Sequence, residues 1–300
     1  MSRVLVTGAS GYVGRQVVEA LLRRGHDVVA ASSRAHGDAG GGHAVAADLL
    51  APGGPATLVA EAGAQHLVHL AWYAEHGRFW TAADNLGWVG ATLALLRAFR
   101  EAGGRRAVVA GTCAEYAWDG DEPLVESATP LRPATLYGAA KHASRIAAEA
   151  YAGQEDLSLA WGRIFFSFGP GEAPGRLIPS VAGALLRGEE APVTGGAQVR
   201  DFIAVEELGD AFAALVDSDV RGAVNVASGR GVAVRDVVAM VARAAGGEEL
   251  VRYGALPDRP DDPASIVADV TRLEREVGWR PREPLEAGIE RTVRALRGSR

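Results

Sequence analysis

Cysteine and lysine are almost missing from this chain of 300 residues. Cys113 is the only cysteine, so the chain can form neither an internal disulfide nor a zinc site built on several cysteines. No run of about 18 apolar residues occurs, and the first residues lack the layout of a signal peptide. We therefore expect a cytoplasmic protein that has no membrane as a partner and no bound metal.

A block of positive charge is also missing. The net charge at pH 7 is −6, which gives no reason to expect nucleic acid as a partner. Thirty of the 31 basic residues are arginines, and the remaining one is Lys141. Because lysine carries a compact ammonium where arginine carries a wide planar fork, the single lysine suggests a place that arginine would not serve.

Short apolar segments alternate with amphipathic ones through the first half of the chain. Continuous apolar strands between amphipathic helices are typical of a parallel sheet that helices cover on both faces. The predicted fold class is therefore α/β, a doubly wound parallel sheet of the Rossmann type with a smaller C-terminal lobe. Strands are predicted at 3–6, 27–31, 44–47, 66–70, 107–110, 157–164, 198–203 and 223–226. Helices are predicted at 12–24, 85–102, 137–152, 205–217, 233–245 and 285–296.

A glycine-rich turn joins the first predicted strand to the first predicted helix, and it reads TGASGYVG from Thr7 to Gly14. Its three glycines let the backbone turn tightly, approach a pyrophosphate and pack the helix close to the sheet. The helix N-terminus then presents N–H groups to the phosphates. The spacing predicts a dinucleotide site. Its predicted contacts are Gly8, Ser10, Gly11, Tyr12, Val13 and Gly14.

The end of the second predicted strand bears on the choice of dinucleotide. An acidic residue there would accept hydrogen bonds from the adenosine ribose of NAD. The chain instead has Ser32, Ser33 and Arg34 and no carboxylate. These three residues could hold a 2′-phosphate, so we predict NADP with NAD as the alternative, although Arg34 could also be one more solvated arginine. Asp48, after the third strand, is placed to touch the adenine.

Tyr137 and Lys141 stand four residues apart on a predicted helix, which puts both side chains on one face. An ammonium close to a phenol favours the phenolate and lowers the pKa of the tyrosine. Such a tyrosine can exchange a proton with a substrate hydroxyl or ketone. Thr112 follows the fifth strand, at the sheet edge where doubly wound folds bind ligands, and could hydrogen-bond the reacting oxygen. We therefore predict Thr112, Tyr137 and Lys141 as catalytic residues.

In combination, these motifs resemble the extended short-chain dehydrogenase/reductase family. The resemblance rests on TGASGYVG at Thr7, on Thr112 and on YGAAK at Tyr137, and it covers nearly the whole chain. This chain also has two later segments that resemble those of the family, RDFIAV at 200–205 and GWRP at 278–281. Family members with such segments act mostly on nucleotide-diphosphate sugars. They include epimerases, 4,6-dehydratases and 4-ketoreductases.

The resemblance also implies binding residues that the sequence pattern alone does not single out. Arg200 and Arg259 would grip the substrate diphosphate, since an arginine fork matches phosphate oxygens in pairs. A cofactor-side loop resembles that of the family at His69-Leu70-Ala71. Further implied cofactor contacts are Leu49, Leu70, Ala71 and Trp72. Further implied substrate contacts are Phe166 and Arg176.

Two departures from the family narrow the reaction. The 4,6-dehydratases typically carry adjacent acidic residues after the threonine, whereas this chain has Cys113 and Ala114, and Glu115 comes too late. This argues against sugar dehydration. The epimerases usually place an asparagine where this chain has Phe166, which predicts a more apolar pocket, as for a deoxygenated sugar. The loop after the fourth strand is rich in rings and either lines this pocket or forms a packed cap. Its ring-bearing residues are Trp72, Tyr73, His76, Phe79 and Trp80.

The leading hypothesis is an NADP-dependent reductase of a 4-keto-deoxysugar nucleotide, in which Tyr137 gives its proton to the ketone oxygen and Thr112 orients the carbonyl. Tyr137 and Lys141 are also predicted as cofactor contacts, with Lys141 both tuning Tyr137 and holding the nicotinamide ribose. The alternative is an NAD-dependent nucleotide-sugar epimerase that oxidises the sugar transiently. A dinucleotide-sensing regulator without catalysis is a third hypothesis.

The chain is predicted to divide into two parts. A dinucleotide-binding domain is expected at 1–165, with 200–228 returning to it, and a substrate-binding lobe at 166–199 and 229–300. The helices predicted at 85–102 and 137–152 carry many small apolar residues, which allow close helix approach. We therefore expect a homodimer.

Overall fold

The computed structural model describes residues 1–33 and 41–298. The strands are β1 (Arg3–Thr7), β2 (Asp27–Ser32), β3 (His43–Ala46), β4 (His66–His69), β5 (Arg106–Thr112), β6 (Ser158–Ile164), β7 (Phe166–Phe168), β8 (Ala191–Pro192), β9 (Val199–Ala204), β10 (Gly222–Val226), β11 (Gly231–Ala233), β12 (Val251–Arg252) and β13 (Ser265–Ile266). The α-helices are α1 (Tyr12–Arg23), α2 (Gly54–Ala62), α3 (Asp84–Glu101), α4 (Leu136–Gln154), α5 (Leu177–Leu186), α6 (Val205–Asp217), α7 (Val234–Ala245), α8 (Thr271–Arg275) and α9 (Leu285–Gly298). Short 3₁₀-helices lie at Cys113–Glu115 and Glu248–Leu250.

Seven parallel strands form the large sheet, in the order β10-β6-β5-β4-β1-β2-β3. The order reverses at β1, because β2 and β3 lie on one side of it and β4 on the other. Doubly wound sheets bind ligands outside the carboxyl ends of the strands at such a reversal. Thr7 and His69 are register partners at that edge. The predicted doubly wound α/β fold is confirmed.

Helices cover both faces of the large sheet. Alternate side chains of β1 enter different cores: Val4 and Val6 join the core under α1 and α6, and Leu5 joins the core under α2, α3 and α4. The helices α1 and α6 pack closely, since a Cβ on Gly209 would lie 2.6 Å from the backbone of Gln16. The sheet is therefore buried on both sides, and ligands can reach it at its edges.

A smaller sheet lies beside the large one. Its central strand β9 pairs with β7, β11 and β13, and a third core joins it to α5, α7 and α9. The segment 200–228, which was assigned to the first domain, is shared between the two sheets. Strand β9 belongs to the smaller sheet. Strand β10 is an edge strand of the large sheet, and α6 packs on that sheet in the core that it shares with α1.

Several elements of the structure were not predicted, among them α2, α5 and α8. Helix α5 reads LIPSVAGALL, which is apolar on nearly all sides and so lacks the helical period of an amphipathic helix. Its Pro179 stands in the first turn, where a missing N–H costs little. Within the described residues, no helix is both long and apolar enough to span a membrane.

Candidate active site

The glycine-rich turn brings the start of α1 against the carboxyl end of β1. Gly8 has a φ of +70°, and a Cβ there would lie 2.8 Å from the backbone nitrogen of Ala71. A Cβ on Gly14 would lie 2.0 Å from the carbonyl oxygen of Gly8. No side chain caps the N-terminus of α1 at Gly11. The turn therefore offers a helix N-terminus to an anion such as a pyrophosphate. The other predicted contacts on this turn are Ser10, Tyr12 and Val13, all half-buried.

Two buried polar atoms beside this turn have no hydrogen-bond partner among the described residues: the Oη of Tyr12 and the Oε2 of Glu172. The turn from Gly169 to Glu172 passes close to Tyr12, since a Cβ on Gly169 would lie 3.4 Å from its Oη and a Cβ on Gly171 would lie 3.9 Å from its ring. Burial raises the pKa of Glu172 to about 7, although Arg176 lies 3.4 Å from its other carboxylate oxygen. Buried polar groups are normally paired, so these two atoms suit a bound ligand or water. Together with the glycine cradle, they fit a dinucleotide.

The carboxyl ends of β1 and β4 are tied together by a buried histidine. Nδ1 of His69 lies 2.7 Å from Oγ1 of Thr7, and its Nε2 lies 2.9 Å from Oγ1 of Thr92. Burial lowers the pKa of His69 to about 3, so the ring is neutral. The N–H of Leu70 donates to the carbonyl of Thr7. His69 thus holds Leu70 and Ala71 next to the glycine-rich turn.

The residues predicted for the adenosine end lie after β2 and β3. Ser32 is half-buried at the end of β2, and Ser33 is exposed. Arg34, predicted to hold a 2′-phosphate, lies outside the described residues. Oδ1 of Asp48 accepts a hydrogen bond from the N–H of Leu50, and Leu49 is buried.

Thr112, Tyr137 and Lys141 meet at the carboxyl end of β5. Helix α4 begins where the side chain of Thr135 accepts a hydrogen bond from the N–H of Gly138, which places Tyr137 in the first turn. Lys141, one turn later, is buried, and its Nζ donates to the carbonyl of Ala110 over 2.8 Å. Oγ1 of Thr112 accepts from the N–H of Ala114. Burial lowers the pKa of Lys141 to about 7.

The pKa of Tyr137 does not shift in the expected direction. The sequence predicted that Lys141 lowers it, but burial raises it above its ordinary value, and only a hydrogen bond with Thr112 notably opposes this. The reason is geometric, because the ammonium of Lys141 is directed at Ala110 and at the ring of Trp72. The pKa prediction was therefore wrong, since the cost of desolvating the phenolate outweighs the nearby charge.

The ring-rich loop after β4 packs directly on Tyr137. The ring centroids of Phe79 and Trp80 lie 4.9 and 5.7 Å from that of Tyr137, both edge to face. The ring of Trp72 lies 6.5 Å away. The N–H of Tyr137 donates to the carbonyl of Trp80. The loop therefore contacts Tyr137 directly, as either a pocket lining or a packed cap would, and both interpretations stand.

Glu115 has a role that the sequence analysis missed. It is fully buried, and its carboxylate accepts hydrogen bonds from the N–H of Thr112 (3.0 Å), from Nε1 of Trp161 (2.8 Å) and from Nε of Arg163 (3.0 Å). These contacts hold the end of β5 in place under Thr112. The spacing of Thr112 and Glu115 is that of a capping box, which would have been a usable signal.

The predicted substrate residues lie on the smaller sheet and its loops. Arg200, on β9, is buried and forms an ion pair of 2.6 Å with Asp262, and its guanidinium lies 5.7 Å from the ring centroid of Phe166. Arg259 is exposed, and its carbonyl accepts from the N–H of Asp262. The fold thus brings Phe166, Arg200 and Arg259 into one region. Arg176 lies at the start of α5, beside Glu172.

Known proteins resemble this chain over nearly its whole length. A UDP-glucose 4-epimerase from Corynebacterium glutamicum is 29% identical over an alignment 305 residues long, which covers 93% of this chain and 91% of the relative. The solved structure of MoeE5 in complex with UDP-glucose and NAD is 31% identical, with a TM-score of 0.85 and 99% of both chains covered. DesIV, a dTDP-glucose 4,6-dehydratase from Streptomyces venezuelae solved with NAD, is 27% identical, with a TM-score of 0.85 and coverage of 99% and 97%.

Residues 4–227 match the model of the NAD dependent epimerase/dehydratase family. The match spans the glycine-rich turn, the group around Tyr137 and β10, and it agrees with the resemblance drawn from the motifs. The chain belongs to the NAD dependent epimerase/dehydratase family and is an NAD(P)-dependent enzyme of the oxidoreductase type.

Proposed function

We propose that this chain is an NAD-dependent epimerase that inverts carbon 4 of a nucleoside diphosphate sugar. The observation that carries the proposal is the group of Thr112, Tyr137 and Lys141 at the sheet edge beside the glycine-rich turn. The 4-epimerase among the relatives favours transient oxidation over the net ketone reduction that the sequence put first. Epimerisation therefore replaces reduction as the leading hypothesis.

The reaction needs a proton acceptor and donor at one oxygen. A bound NAD, held at the glycine-rich turn of Gly8, Gly11 and Gly14, would supply reversible hydride exchange at carbon 4 of the sugar. Tyr137 acts as the base only after it has lost its own proton: the phenolate takes the hydroxyl proton during oxidation, becomes the phenol, and returns that proton during reduction, so the phenolate is restored. Thr112 hydrogen-bonds the same oxygen and keeps it beside the phenol. Lys141, one helical turn away, would favour the phenolate only through space, because its ammonium is directed at Ala110 and Trp72, and this effect is smaller than the cost of burying the phenolate.

The diphosphate of the substrate is proposed to lie against Arg200 and Arg259. Arg200 is held in its place by Asp262 and by the ring of Phe166, so little side-chain entropy is lost when it binds an anion. Its fork can donate two parallel hydrogen bonds to phosphate oxygens. In this arrangement the cofactor would lie along the large sheet and the nucleotide of the substrate along the smaller one. We therefore also propose the division predicted from the sequence, into a dinucleotide-binding domain and a substrate-binding lobe.

NAD is proposed as the cofactor, in place of the NADP predicted from the sequence. MoeE5 and DesIV are both solved with NAD. The missing carboxylate after β2 still favours NADP, and the two cofactors can be compared by titration. Binding of NADH at least as tight as binding of NADPH supports the proposal, whereas a preference of about 10-fold or more for NADPH would restore the original prediction.

A 4-ketoreductase remains the second candidate because of Phe166 and the ring-rich loop. An apolar wall next to Tyr137 suits a sugar that has lost hydroxyl groups. Dehydration is not proposed, because the thiol of Cys113 is buried with its pKa raised to about 12 and Glu115 is committed to three donors. No free acid therefore follows Thr112 in the short helix Cys113–Glu115.

The homodimer predicted from the sequence is also proposed, with α3 and α4 as its interface. Leu86 and Ile146 are exposed large apolar residues on these helices. An apolar groove between the helices is lined by Leu93, Ala94 and Ala147. Light scattering at micromolar concentration should give twice the chain mass, and a monomer mass would contradict the proposal.

The test of the reaction is net cofactor turnover. The purified protein is incubated with NAD and UDP-glucose, and with dTDP-glucose in a second arm, and the products are followed by NMR. An epimerase yields both carbon-4 epimers with no net change in NADH absorbance. Stoichiometric oxidation of NADPH with a 4-keto-deoxysugar nucleotide, and no epimer in either arm, would favour the reductase instead.

A further inference from the structure

We propose that Trp72 is a positioning residue for Lys141, whose ammonium group it holds against the carbonyl of Ala110. Nζ of Lys141 lies 3.9 Å from the ring centroid of Trp72 and donates to the carbonyl of Ala110 over 2.8 Å. The face of an indole ring attracts a cation. The inference rests on the role given to Lys141 in the proposed function. It adds Trp72 as the residue that positions the ammonium of Lys141.

The indole ring is itself held in place from two sides. Its Nε1 donates to Oδ1 of Asn85 over 2.7 Å, and its face stacks on Trp88 with the centroids 6.1 Å apart. Asn85 is fully buried, and its amide nitrogen donates to the carbonyls of Phe79 and Ala82. Turning the indole away from Lys141 would leave the buried oxygen of Asn85 unpaired, which is costly. One asparagine thus fixes both the loop and the ring.

The ammonium needs this contact because little else compensates its charge. Glu115 is the charged group that acts on it, and that carboxylate is already shared among Thr112, Trp161 and Arg163. Two further titratable groups near Lys141, within the part of the chain that the structure describes, are neutral: His69 has its pKa lowered to about 3, and burial raises the pKa of Tyr137. A buried ammonium without partners tends to lose its proton. The ring of Trp72 favours the charged form.

The lone lysine makes the experiment specific. Protein grown with ¹³Cε-lysine gives one lysine resonance, that of Lys141, whose shift follows its protonation through a pH titration. In Trp72→Leu the pKa of Lys141 should fall by about 0.5–1.5 units relative to wild type, and Trp72→Phe should restore more than half of the difference. The ε-methylene protons of the wild type should also resonate clearly upfield of those of free lysine, because they lie over a ring.

Trp279→Leu is the matched control, since Trp279 is also a buried tryptophan but packs in the core under α1 and α6, where its Nε1 donates to Asp210. It should move the pKa of Lys141 by less than a third as much. The proposal is overturned if Trp72→Leu leaves that pKa within about 0.2 units of wild type, or if Trp279→Leu shifts it equally. Should Trp72→Leu fail to fold, the Trp72→Phe titration and the wild-type proton shift decide.

Turnover gives a second measurement that separates this inference from the proposed function. If the pKa falls from about 7 to about 6, the charged fraction of Lys141 at pH 7 falls about 5-fold, and kcat of Trp72→Leu should fall with it. The deficit should shrink toward pH 6, as the charged fraction of Lys141 in the variant recovers. If Trp72→Leu lowers the pKa of Lys141 as expected but the wild-type protein has no epimerase activity, the proposed function is refuted and the role of Trp72 stands.

Discussion

The glycine-rich turn and the pocket around Tyr137 meet at one sheet edge, but they are built in different ways. The turn is made by the backbone of eight consecutive residues, and it depends on missing side chains at Gly8 and Gly14. The pocket is made by side chains from the end of β5, from α4 and from the loop after β4. A short sequence motif can therefore specify the turn, whereas contacts between distant residues determine the electrostatics of the pocket.

This difference explains which prediction failed. Sequence spacing correctly placed Tyr137 and Lys141 on one face of a helix, but it could not show where the ammonium would be directed. Burial decides the pKa of both groups, and burial is a property of the whole fold. Variants that act on the turn and on the pocket separately can test the comparison.

The largest loss of stability is expected from removing Glu115, the buried carboxylate that holds the end of β5 at the pocket. Glu115→Ala would leave the guanidinium of Arg163 buried without its carboxylate and would remove the acceptor for the N–H of Thr112. The free energy of unfolding should fall by about 3–5 kcal/mol, as when one member of a buried ion pair is removed. Urea denaturation followed by circular dichroism measures this change.

An exposed ion pair provides the control for that variant. Glu19 lies 2.7 Å from Arg23 on the surface of α1, so Glu19→Ala should change the free energy of unfolding by about 0.5 kcal/mol or less. Equal losses in the two variants would mean that the pocket does not depend on the buried carboxylate.

The next effect concerns the chemistry of the pocket. Tyr137→Phe removes the exchangeable proton and keeps the ring that packs against Phe79 and Trp80. Turnover should fall about 100-fold or more, while the Kd for NAD should stay within about 2-fold. Tyr151→Phe makes the same change near the other end of α4 and should leave turnover unchanged. A Tyr137→Phe enzyme with wild-type kcat would refute the assigned role.

Much of the fold could be predicted, because its signals are local. The strands and long helices of the large sheet follow the chain's apolar periodicity to within a few residues, and Gly25 and Gly103 end their helices as expected. Helix α5 was missed because it is apolar on nearly every side. Glu115 was considered only as a misplaced catalytic acid, since its partners Trp161 and Arg163 stand more than 40 positions away.

A substitution at Gly14 should weaken cofactor binding at the glycine-rich turn without altering the pocket around Tyr137. In Gly14→Ala the new Cβ would clash with the carbonyl of Gly8, so the start of α1 must shift away from the sheet edge. The Kd for NAD should rise about 10- to 100-fold, the size of an overpacking strain, and calorimetric titration measures it. Gly153→Ala, on α4 with nothing within 4 Å, should bind NAD as the wild type does. Unchanged affinity in Gly14→Ala would show that the turn is not a cradle.

The smallest effect is expected at Glu172, which lies beside the turn but titrates as a group of the packed interior. Burial raises its pKa from 4.5 to about 7, so between these values the folded chain keeps a proton that the unfolded chain has released. Glu172 therefore contributes stability below pH 4.5 that is lost as the pH rises through 7. Glu172→Gln removes this dependence. Relative to wild type, its free energy of unfolding should gain about 2–2.5 kcal/mol from pH 5 to pH 8 and then stay level.

Urea denaturation at pH 5, 6, 7 and 8 measures this gain, and Glu189→Gln is the control. Glu189 is exposed and pairs with Arg187 at 2.7 Å, so its variant should run parallel to wild type at every pH. If Glu172→Gln also runs parallel, the carboxylate is ionised throughout and its side chain is solvated. The turn would then be set by its backbone alone, and the contrast with the pocket would be complete. If Glu172→Gln does gain stability with rising pH, burial shifts pKa values beside the glycine-rich turn as well as in the pocket around Tyr137. The turn and the pocket then differ only in how far apart in sequence their contacting residues lie.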